Sequence, residues 1–103
     1  MKRKELLAKI EKDARTLRDW ELAHILSQPY PWAHTRIHFK MLIWAIKAQD
    51  LKEFVGQIPR LLLAYPSSLF GFAPNANPGS TRFGLATDYQ WPSELPLELK
   101  DQR

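Results

Sequence analysis

The 103-residue chain has no cysteine, and that absence removes disulfides, thiolate metal sites and cysteine nucleophiles together. It fits a reducing compartment, and the expected location is the cytoplasm. Glycine is scarce, at four residues, and neither glycine nor proline occurs from Lys2 to Gln28. Long apolar runs are missing too: the longest, Met41 to Ile46, is far short of the roughly 20 residues that cross a bilayer. No membrane partner is expected. The basic N-terminus resembles the start of a signal peptide, but Lys9, Glu11, Lys12 and Asp13 leave no apolar region to complete one. A strong excess of either charge is also lacking. The net charge is +4, all of it in residues 1–18, where acids at Glu5, Glu11 and Asp13 interrupt the basic residues and no aromatic stands among them to stack on a base. That segment reads as a solvated helix face, and nucleic-acid binding is not expected.

What is present is ordinary globular composition, with 45% hydrophobic and 25% charged residues, enough for one folded domain over residues 1–103. The expected class is all-α: a three-helix antiparallel array followed by an irregular strap. Leu6, Leu7, Ile10, Ala14, Leu17 and Trp20 recur at helical spacing, and a single helix is expected from Lys4 to Gln28. Pro29 stops it, and Pro31 suits the first position of the next helix, where a missing N–H costs nothing. That central helix, Trp32 to Ala48, should bury Ile37, Met41, Leu42 and Ala45 and keep Arg36, Lys40 and Lys47 at the surface. Asp50 and Glu53 have the sense of a capping box for a third helix, Leu51 to Tyr65, ended by Pro66. Its apolar stripe, Leu51, Phe54, Val55, Ile58, Leu61 and Leu62, is expected to face the core. Residues 67–98 hold proline and glycine but also many aromatics, which marks an ordered strap packed over the helices. Within it, the stretch from Pro74 to Thr81 reads as a structural loop, and Leu99 to Arg103 as a frayed end.

The three histidines of the chain flank the Pro29–Pro31 turn. Counted from Tyr30 they lie 6, 4 and 8 residues away, roughly 9, 6 and 12 Å along the arms of a helical hairpin. His34 and His38, four apart, share one helix face, and His24 can join them from the other arm. Three imidazoles bind Zn²⁺, Ni²⁺ or Cu²⁺ and leave a position for water. Gln28 and Thr35 are placed to orient the rings from behind, or Gln28 to serve as an alternate ligand. Met41, one turn beyond His38, would favour a softer ion. Glu21, three residues before His24, is a candidate to orient that ring. No nucleophile stands in a recognisable setting and no His-Glu-x-x-His motif occurs, so enzyme activity is not expected.

The run Ala23-His24-Ile25-Leu26-Ser27-Gln28, then Tyr30-Pro31-Trp32-Ala33-His34-Thr35-Arg36-Ile37-His38 and Met41-Leu42, with the Asn-rich strap after Ser68-Leu69-Phe70-Gly71, resembles a small bacterial family of domains of unknown function. The resemblance covers most of residues 14–92. It implies a helical fold, a signature that unites His24, Gln28, His34, His38 and Met41, and no established reaction. The family's Gly-containing break between two short N-terminal helices is absent here, in keeping with one continuous first helix. The stretches Asp19 to Pro31 and Asp50 to Pro66 echo each other in the manner of tetratricopeptide helix pairs. That similarity implies the alternative reading, an interaction module that meets another protein or a second copy of itself.

Overall fold

A computed structural model describes residues 2–102, and among them it is all-helical: α1 (Arg3–Asp13), α2 (Leu17–Ser27), α3 (Pro31–Lys47), α4 (Leu51–Leu69), and one 3₁₀ turn, Leu97–Leu99. Four helices stand where three are expected from the periodicity. Ala14 is extended at the end of α1, and Thr16 starts α2 with a reciprocal cap. Its hydroxyl accepts from the Asp19 N–H at 3.2 Å, while the Asp19 carboxylate accepts from the N–H groups of Thr16 and Arg15. An aspartate three residues after a threonine thus ends the continuous-helix reading without any glycine or proline. Pro31 does sit in the first turn of α3, as expected. Asp50 caps α4 by accepting from the Glu53 N–H, but the Glu53 side chain does not return the bond. It is buried elsewhere. Pro66 does not end α4, which runs to Leu69.

The central helix α3 packs against α2 on one side and α4 on the other, with α1 beyond α2. The core joins Leu7, Ala23, Ile25, Leu26, Ile37 and Met41 to Leu95 and Leu99 from the strap. Leu99 is therefore anchored, not frayed; Arg103 lies outside the described residues. Residues 70–96 carry no regular secondary structure. Their aromatics divide: Trp91 packs on the core and Phe83 stacks edge-on with Tyr89, but Phe70 and Phe72 are exposed. The basic N-terminus is not wholly a solvated face either. Arg3 is buried, and its guanidinium donates to the carbonyls of Ile25 and Leu26 at the end of α2 and of Leu99, Lys100 and Gln102. One cation thereby ties both chain ends to a helix C-terminus, where the carbonyls need donors.

Two burial expectations fail in instructive ways. Leu42 is only half-buried, whereas Ile37, Met41 and Ala45 are enclosed, so Ile37→Ala is expected to cost about 2–5 kcal/mol and Leu42→Ala about 1–2 kcal/mol. Urea titration of the two variants measures the difference, and a Leu42→Ala loss equal to that of Ile37→Ala would contradict it. The α4 stripe is inverted. Leu51, Val55, Ile58 and Leu62 are exposed, Phe54 and Leu61 are half-buried, and the helix turns Glu53, Gln57 and Ala64 inward. Lys47 is exposed as expected, but Arg36 is half-buried, paired with Glu11 at 2.6 Å.

Candidate metal centre

His24 on α2 and His34 and His38 on α3 meet across the hairpin, each less than 5% exposed. Their Nε2 atoms stand 2.8 Å (His24 to His38), 2.9 Å (His24 to His34) and 3.2 Å (His34 to His38) apart, and the three rings lie 4.5–4.9 Å apart between centroids. The convergence expected from chain spacing is met, because the short turn holds the two arms in register and the four-residue step on α3 puts two rings on one face. No other group of three such residues close enough to share an ion occurs among the described residues.

What each ring's other nitrogen touches fixes where the protons are. The His24 Nδ1 faces the Asn77 carbonyl at 2.5 Å, a group that can only accept. The His38 Nδ1 faces the Gln57 Oε1 at 2.7 Å, while the Gln57 amide nitrogen donates to the Glu53 carboxylate at 2.6 Å and the Gly79 carbonyl at 2.9 Å. Two acceptors on the nitrogen side set the amide's orientation, so its oxygen accepts from His38. The His34 Nδ1 faces the Ser68 hydroxyl at 2.7 Å, whose single hydrogen goes to the Gln28 carbonyl. Ser68 must then accept from His34. All three rings carry their proton on Nδ1, and three lone pairs on Nε2 point at one another.

Burial keeps the cluster neutral. Desolvation, followed by the charges of His38 and His34, holds His24 well below the ordinary histidine range. Burial and then the charge on His38 bring His34 down to about 3, and burial, with Arg60 adding to it, brings His38 to about 4. Arg60 donates to the carbonyls of Gly56 and Phe83. It lines, with the three rings, a cavity of about 360 Å³ whose other walls include Leu63, Phe70, Phe72 and Leu85.

The remaining candidates fall differently. Gln28 stands behind the site: its carbonyl takes the Ser68 hydrogen and its amide donates to the Pro74 carbonyl at 2.7 Å. Met41 is fully buried in the hydrophobic core. Thr35 bonds back to the Pro31 carbonyl in its own helix. The Glu21 carboxylate is occupied by Ser80, Arg82 and Arg18, not by His24. Asn77, Gly79, Ser68, Gln57 and Glu53 escape the sequence reading. Gly79 is required twice over: its φ is +84°, and a Cβ there would lie 2.5 Å from the His24 ring. The structural loop foreseen at Pro74 to Thr81 is thus also the wall behind His24.

The fold and the site together define a small all-helical protein whose buried histidine triad has the geometry to hold a metal ion. The chain belongs to the DUF3703 family, described as a protein of unknown function, whose sequence profile matches residues 1–99. No curated protein and no solved structure matches it.

Proposed function

We propose that the chain is a cytoplasmic metal-binding protein in which the Nε2 atoms of His24, His34 and His38 hold one divalent transition-metal ion: Zn²⁺, Ni²⁺ or Cu²⁺. The observation that carries this reading is the proton arrangement. Each imidazole gives its Nδ1–H to a carbonyl, an amide oxygen or a hydroxyl, the outer partners that metal-bound histidines use, and each leaves Nε2 bare toward the shared centre. Three lone pairs brought within 3.2 Å of one another repel unless a positive centre lies among them. Neutral imidazoles suit the borderline divalent ions.

His24, His34 and His38 would hold the ion through their Nε2 atoms, and three protein ligands would leave a coordination position for a fourth. The neighbouring cavity has room for water or a small molecule, and its apolar walls favour a ligand with an apolar body. The proposed role is binding of the ion.

The test is metal content and spectroscopy on tag-free protein. One Co²⁺ per chain, with visible bands of a nitrogen-rich, four- or five-coordinate site, is the expected result. Protein that takes up less than about 0.1 equivalent of Co²⁺, Zn²⁺, Ni²⁺ or Cu²⁺ after dialysis would overturn the proposal.

A further inference from the structure

The apolar residues on the outside of α4 are not scattered. Leu51, Val55, Ile58, Leu62, Tyr65 and Leu69 are 43–74% exposed, and they follow one another at steps of four, three, four, three and four. That is a 3.5-residue period, the repeat of a seam that receives another helix. No charge interrupts it: Lys52 stands beside the seam, Glu53 is turned inward, and Arg60 lines the cavity. Taking roughly 200 Å² for a fully exposed large apolar residue, the six present about 700 Å². This exceeds the roughly 300–600 Å² of the largest patch on a typical monomer and is most of the roughly 800 Å² that one partner buries in a standard interface. On α3, Trp32, Phe39 and Ile46, seven residues apart, are also exposed.

The seam is also its own complement. Reflected about position 60, Leu51 falls on Leu69, Val55 on Tyr65 and Ile58 on Leu62, so an antiparallel copy of α4 meets it apolar on apolar at every level. A two-fold axis generates that arrangement, and an uncharged seam needs no opposite charge from a different protein. We propose that the chain forms a homodimer through antiparallel packing of α4 on α4, with the axis at the level of Arg60.

Sedimentation equilibrium of the full chain at about 10–100 μM should give twice the 12.0 kDa chain mass. Ile58→Glu combined with Leu62→Glu, which sets like charges face to face, should reduce the mass to one chain with the helical circular dichroism unchanged. Because the chain has no cysteine, single cysteines report the orientation. Leu62→Cys, with its two copies about 6 Å apart along the axis, should cross-link through a short bismaleimide, and Leu51→Cys, about 27 Å from its copy, should not. A monomeric wild type, a dimer that survives both glutamates, or cross-linking through Leu51→Cys in preference to Leu62→Cys would overturn the proposal.

Discussion

Zn²⁺ at about a thousand times its dissociation constant is expected to raise the melting temperature of the wild-type chain by well over 10 °C. Binding to the folded state alone contributes about 4 kcal/mol under those conditions, and a domain of this size melts about 4–8 °C higher for each kcal/mol. His34→Gln and His38→Gln, which each remove one ligand nitrogen from the cluster, should melt at the same temperature with and without the ion. Differential scanning calorimetry at pH 7.5, with the metal bound measured on the same samples, makes the comparison. An equal rise in wild type and variants would place the ion elsewhere on the chain, and no rise at all would remove it.

Acid should unfold the metal-free protein early and steeply. Burial and neighbouring charge hold His34 near 3 and His38 near 4, with His24 also well below the ordinary value, whereas in the unfolded chain all three titrate near 6.5. Between those limits the unfolded state binds protons that the folded state refuses, so stability is full above about pH 6.5 and falls as the pH drops toward 4. Three such groups give a slope of up to about 4 kcal/mol per pH unit, large against the roughly 5–15 kcal/mol that holds a domain together. Denaturant titrations at pH 7.5, 6.5, 5.5 and 4.5 read the slope directly. His38→Gln should flatten it by about a third, and a stability constant from pH 7 to pH 5 would contradict the buried neutral triad.

The three histidines of the triad are legible because their meeting depends on local arithmetic. A proline-bounded turn and a four-residue step on one helix are enough to bring His24, His34 and His38 to one level. Their supports are not, because Asn77, Ser68 and Gln57 reach the site through tertiary contacts that no local period encodes. The break before α2 was written in Thr16 and Asp19, a capping pair in which aspartate takes the place usual for glutamate. Periodicity across residues 6–20 masked it. On α4 the apolar stripe was correctly located and wrongly aimed. A hydrophobic face is assigned to the core by default, but this helix spends its inner face on Glu53 and Gln57, which hold His38 and the N–H and hydroxyl of Thr81.

The triad and its supports are separated very differently along the chain, and this bears on how the protein folds. All three histidines fall within fifteen consecutive residues, His24 to His38, whereas the partners behind them lie 53, 34 and 19 residues away. Closing the small loop costs less chain entropy than closing the large ones, so the α2–α3 hairpin is expected to gather its imidazoles before the C-terminal third is in place. If the triad holds an ion as proposed, the ion would meet a half-built, open site first, and the later arrival of Ser68, Asn77 and Gly79 would enclose it. Release of such an ion would then depend on how often the strap lifts, a local-opening rate that hydrogen exchange at Gly79 and Ser80 would follow.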